Sequence, residues 1–226
     1  MLAFLKGIIW KSATAAILIY VVIMGFLGAI PEREILYETI RNLYFHVPMW
    51  FSMVAMFGTS VFFSIKYLSS SNSRFDDWAV EFANIGILFG FLGLTTGMIW
   101  AQFTWGAWWS FDPKQNGAAI TLLIYLAFMV LRNSITDTKS RARVSSVYNV
   151  FAFAAMIPLI FILPRMSESL HPGADGNPGF NTYDLDGRMR IVFYPAVIGW
   201  IMLGIWLSEL RYRTRRLKEK LYENHL

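Results

Sequence analysis

The chain has 226 residues, 56% of them hydrophobic and only 15% charged, with a mean hydropathy of +0.45. That excludes an ordinary soluble domain, and the formal net charge of +5 becomes a question of membrane topology, with no nucleic-acid partner implied. The absence of cysteine excludes disulfides, thiolate metal sites and CxxC redox chemistry.

Lys6 and Lys11 introduce an apolar run that ends at Ile30. It is too long for a signal-peptide core and has no small-x-small cleavage site before Pro31, so it reads as a retained first membrane helix. At about 1.5 Å per residue, a helix needs about 20 residues to cross the hydrocarbon. Six segments qualify, near 10–30, 48–68, 80–101, 113–132, 146–166 and 191–209. The fold class is therefore an all-α membrane protein of six transmembrane helices, a single domain over residues 1–226. An even number of spans puts both ends on one side. Of the 20 Lys and Arg residues, about 14 fall on that side and about 6 on the other, so the positive-inside rule makes both ends cytoplasmic.

Between the first two spans, Leu36, Ile40, Leu43 and Val47 have helical spacing within a Glu34 to Phe45 segment, which predicts a short helix on the outer surface. Pro48 suits the first turn of the second span, placing His46 at its outer mouth. The third span carries Gly86, Gly90, Gly93 and Gly97 on one face, read as a seam where helix backbones approach closely. Pro158 and Pro164 mark kinks or ends in the fifth span, and Pro195 does so in the sixth. The last external loop, about 172–188, is rich in Gly, Pro, Asp and Asn and reads as mobile. The basic stretch from Arg211 to Arg216 reads as an inner-surface anchor for membrane lipid.

The most specific feature is the external loop at about 102–116, which holds Trp105, Gly106, Trp108, Trp109, Ser110, Phe111 and Asp112. Interfacial aromatic belts account for Trp10, Trp78, Trp200 and Trp206, but not for three tryptophans within five residues. Such a surface suits a large flat ligand. Asp112-Pro113-Lys114-Gln115 reads as an N-cap, a helix-starting proline and a capping-box partner.

Of three histidines, His225 lies in the basic tail, whereas His46 and His171 share the tryptophan loop's side. A zinc site needs at least three protein ligands, and no third histidine or cysteine faces outward. Two imidazoles can instead hold a haem iron axially between aromatic groups. The haem carboxylates would seek cations, for which Lys114, Arg41, Arg165 and Arg188 are the external candidates.

At these residues the chain resembles the haem-handling WWD family, most closely its short branch, the CcmC proteins of cytochrome c maturation. Phe-His-Val-Pro at 45–48, Trp-Gly-x-Trp-Trp-x-Phe-Asp at 105–112 and Leu-His at 170–171 carry the likeness. The resemblance implies haem b held by His46 and His171 as axial iron ligands, with Trp105, Gly106, Trp108, Trp109 and Asp112 as the signature loop. It also implies haem presentation on the periplasmic side of the bacterial inner membrane and delivery to the haem chaperone CcmE. The implied complex contains the ABC transporter subunits CcmA and CcmB and the small subunit CcmD. With no GxxxxGK[ST] phosphate loop in the chain, ATP use falls to those partners, and no catalytic residue is expected here. Phe111 stands where the family usually has a third motif tryptophan, Lys114-Gln115-Asn116 departs from the Arg-Leu-Thr of the proteobacterial form, and Asp-Pro-Lys at 112–114 is similar to the longer system II synthetase relatives. An electron-transfer cytochrome b, a system II synthetase component and a transporter gated by the aromatic loop stand as rivals.

Overall fold

The computed structural model describes residues 7–31, 36–171 and 185–223. Six helices follow in order: α1 (Ile8–Leu27), α2 (Leu43–Ser70), α3 (Ser73–Trp105), α4 (Pro113–Ser134), α5 (Thr138–Ile157) and α6 (Gly187–Glu223). Each, α5 with its extension to Arg165, is long and apolar enough to cross a membrane, and no strand occurs among the described residues. His225 and most of the expected mobile loop, residues 172–184, lie outside the described residues.

The helix starts follow from side chains that satisfy the first free N–H groups. Asn72 accepts from the Arg74 amide at 3.0 Å, Asp112 from that of Lys114 at 2.8 Å, and Asp137 from that of Ser140 at 2.7 Å. In the fifth span regular α-helix stops at Ile157. A wider π turn runs from Pro158 to Ile162 and a 3-10 turn from Leu163 to Arg165, as two prolines that break the i→i−4 ladder require.

Two expectations change at the entry to α2. The predicted surface helix is a 3-10 turn, Tyr37–Asn42, that runs directly into α2. Its Ile40 is buried with Leu36, Leu43 and Val47 against Met189, Val192 and Phe193 of α6, so apolar spacing anchors the turn instead of floating a separate helix. Because α2 then begins at Leu43, Pro48 lies inside the helix and His46 occupies its first turn.

The glycine face of α3 is the seam against α2 that the spacing predicts. A methyl at Gly86 would stand 2.5 Å from Phe57, and one at Gly93 would stand 2.9 Å from Trp50. Gly90 receives Met53 from α2 and Leu122 from α4. Phe57 stacks on Tyr125 at 3.5 Å, which ties α2 to α4 in the middle of the bundle. Trp10 and Trp78 depart from the expected lipid belt. Both are buried, Trp78 stacked 4.0 Å from Tyr212 and Trp10 set edge-on to Trp206 at 6.2 Å. Their large apolar faces fill helix junctions.

One end of the bundle is closed by ion pairs. Arg132 bonds Asp76 through both terminal nitrogens, at 2.7 and 2.6 Å, and Lys11 meets Glu209 at 2.7 Å. Glu81 accepts from Arg211 at 2.7 Å and from Arg215 at 2.6 Å. Arg213 reaches Glu209 at 3.1 Å, and Arg216 lies 3.9 Å from Asp77. The basic stretch read as a lipid anchor is thus the last part of α6, with four of its arginines turned onto the protein's own carboxylates.

Candidate functional site

The opposite end gathers the histidines and the tryptophan loop. His46 is buried in the first turn of α2, and its Nδ1 lies 3.0 Å from the Gly93 carbonyl and 3.2 Å from Thr96 Oγ1. A carbonyl only accepts, so Nδ1 carries the proton and Nε2 keeps the lone pair. Trp50, one turn along α2, donates its indole N–H to that Nε2 at 3.3 Å. Trp50 and Trp100 both stand edge-on to the imidazole, at 6.1 and 5.9 Å. Gly97 completes the seat, since a methyl there would lie 2.6 Å from His46 Cε1.

The neighbouring contacts fix that seat to the membrane entry of α2. Asn42 donates to the Thr96 carbonyl at 3.0 Å and Trp100 donates to Thr39 at 3.2 Å. Arg41, one of the expected cations for carboxylates, is engaged elsewhere. It bonds Glu38 at 2.6 Å and caps the end of α1 through the Gly25 and Gly28 carbonyls at 3.1 and 2.7 Å.

His171 is set by Asp112. Its Nδ1 donates to Asp112 Oδ1 at 2.8 Å, while Oδ2 accepts from Ser169 Oγ at 2.9 Å and from the Leu170 amide at 2.7 Å. The same carboxylate caps α4. Burial alone would raise the Asp112 carboxyl. The hydrogen bond and charge of His171, with the amides of Leu170 and Lys114, outweigh burial and hold the carboxyl well below the usual carboxylate range. The capping role read from the sequence is therefore present, and a second role joins it: positioning a histidine 59 residues away. The reciprocal half of the capping box differs. Gln115 accepts from the amide and hydroxyl of Ser110, at 2.9 and 3.0 Å, and so closes the loop two residues earlier.

Within the loop, Gly106 ends α3 with φ 76°, a left-handed conformation that favours glycine. Trp105 presents its ring edge-on to His171 at 4.8 Å. Trp109 is half-buried, whereas Trp108 is 53% exposed. Phe111 is held at φ 58° and is 77% exposed, its carbonyl bonded by Asn116 at 2.8 Å. Lys114 is half-buried and within electrostatic range of Asp112 and of Arg165, which is exposed. Arg188 lies 3.7 Å from Asp186.

Both histidines lie at this end of the bundle, each against the last turns of α3. One helix joins them: the last turns of α3 seat His46 through Gly93, Thr96 and Gly97 and meet His171 through Trp105. Each imidazole has Nδ1 held by an acceptor, the arrangement found behind metal-bound histidines, and the Nε2 of His46 accepts the Trp50 N–H. Among the described residues no three His, Asp or Glu side chains converge on a metal ion, so the donor set is two separate nitrogens within an aromatic surround. Trp50, Trp100, Thr96 and Gly97 were not singled out by sequence as site residues. The i+4 step from His46 to Trp50 and the matching step from Gly93 to Gly97 were the available signals.

The family model described as Heme exporter protein C matches residues 2–225. The Heme exporter protein C of Haemophilus influenzae is 26% identical over 182 residues, 80% of this chain and 73% of that protein. That of Rhodobacter capsulatus is 28% identical over 221 residues, 92% of this chain and 86% of that protein. A shorter likeness reaches the Cytochrome c biogenesis protein CcsA of Trachelium caeruleum, 32% identical over 83 residues, 36% of this chain and 26% of that protein.

Proposed function

Since this chain belongs to the Heme exporter protein C family, we propose that it is a haem-handling membrane component of cytochrome c biogenesis. It presents haem b on the periplasmic face of the bacterial inner membrane and passes it to the haem chaperone CcmE. The observation that carries this reading is the shared orientation of the two imidazoles. His46 directs Nδ1 to Gly93 and His171 directs Nδ1 to Asp112, so each offers Nε2 as an axial ligand for haem iron.

The surrounding residues fit that cargo. Trp105 sets its ring against His171, and Trp108 and Trp109 add aromatic surface in the same loop, which Gly106 and Asp112 shape. Trp50 yields His46 Nε2 to the iron. Lys114, with Arg165 in electrostatic range, is the cation for the haem carboxylates, whereas the engagement of Arg41 at the end of α1 removes it from that role. The excess of Lys and Arg at the ion-paired end supports cytoplasmic chain ends and a periplasmic histidine end.

The chain acts as a transfer component and not as an enzyme. It carries no phosphate loop, so energy comes from an ABC transporter built from CcmA and CcmB, with CcmD as the small subunit. Against an electron-transfer cytochrome b, both usable histidines stand at one end of the bundle, His46 in the first turn of its span, with none deeper to carry electrons across.

An absorption spectrum of the solubilised protein tests the proposal. A bis-histidine haem spectrum is expected, lost in His46→Ala and His171→Ala. Haem-free protein from haem-replete cells, together with undiminished haem loading of the chaperone in both variants, would overturn it.

A further inference from the structure

A second polar site lies at the ion-paired end, between α3, α4 and α6 and beside the first turn of α5. It is a cavity of about 300 Å³ whose lining includes Arg132, Arg141, Arg211, Arg215, Asn84 and Asn133. Four arginines line it, and two carboxylates answer them: Asp76 bonds Arg132, and Glu81 bonds Arg211 and Arg215. Asp77, 4.0 Å from Arg215, is shared with Arg216 at 3.9 Å. The cavity therefore keeps about two positive charges over its own acids.

The donors are not used up. Arg211 directs only Nε to Glu81. Arg141 is half-buried and makes no ion pair among the described residues, and the Asn84 and Asn133 amides donate to no partner among them. Planar guanidinium forks beside amide N–H groups match a tetrahedral oxyanion.

Depth in the membrane points to the source of that anion. α4 ends at Ser134 and α5 begins at Thr138, so Arg132 and Arg141 stand where two spans leave the hydrocarbon. Basic pockets between transmembrane helices at that level receive anionic head groups. We propose that this cavity binds a phosphate group, carried by the head group of an anionic phospholipid or by free phosphate. The ligand neutralises the arginine excess that the internal pairs leave.

The test uses the full chain in detergent, with two probes. Native mass spectrometry in equimolar phosphatidylglycerol and phosphatidylcholine is expected to show selective retention of phosphatidylglycerol. Arg141→Gln, which breaks no ion pair, lowers that retention about fivefold, the effect of one cation at a membrane surface. Titration with inorganic phosphate, read by thermal midpoint, forms the other arm. A rise that depends on Arg141 assigns the site to free phosphate, and selective lipid retention without that rise assigns it to the head group. Either result supports the cavity. Equal retention of both lipids with no phosphate response overturns it. So does an equal loss in Arg143→Gln, an exposed neighbour outside this lining, because general surface charge then accounts for the binding.

Discussion

At the ion-paired end of the bundle Arg132 commits two nitrogens to Asp76, and Lys11 and Glu209 close on each other. At the histidine end, His46 and His171 each anchor Nδ1 on an acceptor, and the partner of His46 Nε2 among the described residues is the Trp50 N–H at 3.3 Å. The first arrangement fixes helix ends to one another. The second fixes the direction of a ligand atom without committing it to an ion pair. Burial is common to both, so burial of a polar residue does not by itself separate structure from function; the accounting of each polar atom does.

The largest effect should come from the ion-paired end. Arg132→Ala leaves Asp76 buried without its partner, and breaking such a pair costs about 3–5 kcal/mol. A thermal midpoint measured in detergent should fall accordingly, while the haem spectrum recorded below the transition stays bis-histidine. Loss of the spectrum in folded Arg132→Ala would show that the two ends are coupled and the comparison is false.

Asp112 ranks next and tests the histidine end directly. Asp112→Ala removes a helix cap, worth about 1 kcal/mol, and also the acceptor that orients His171, where loss of a supporting partner lowers metal affinity about 10–100-fold. Asp112→Asn keeps an N-cap and a neutral acceptor. Its stability should stay near that of the parent, with haem affinity between the parent and the alanine variant. Haem titration alongside thermal unfolding separates the two roles, and equal affinities for Asn and Ala would remove positioning from the account.

The six spans were legible because hydrocarbon imposes a length and an apolarity that any sequence must display. The histidines and the tryptophan loop were legible because rare residue types clustered on one predicted side. What supports them was hidden by distance along the chain. The Asp112 to His171 bond joins residues 59 apart, and the local sequence around Asp112 explains it fully as a cap. The arginines of α6 read as a free basic stretch because Asp77 and Glu81 answer them from more than a hundred residues away. Trp10 and Trp78 looked interfacial for the same reason. Their depth depends on which helix lies beside them.

The smallest effect isolates the seat of His46. Gly58 and Gly97 both lie inside long helices, where alanine is favoured over glycine by about 1 kcal/mol. A methyl at Gly58 would meet Phe153 at 3.6 Å, ordinary contact, so Gly58→Ala should raise stability and leave haem binding unchanged. At Gly97 the same methyl would stand 2.6 Å from His46 Cε1, and the imidazole or the α2–α3 spacing must give way. The helix gain offsets part of that cost in the unfolding midpoint, but nothing offsets the displaced Nε2. Gly97→Ala should therefore lose a few-fold in haem affinity at nearly unchanged stability. If haem binding in Gly97→Ala equals that in Gly58→Ala, the glycine face is a packing seam along its whole length and takes no part in aiming His46.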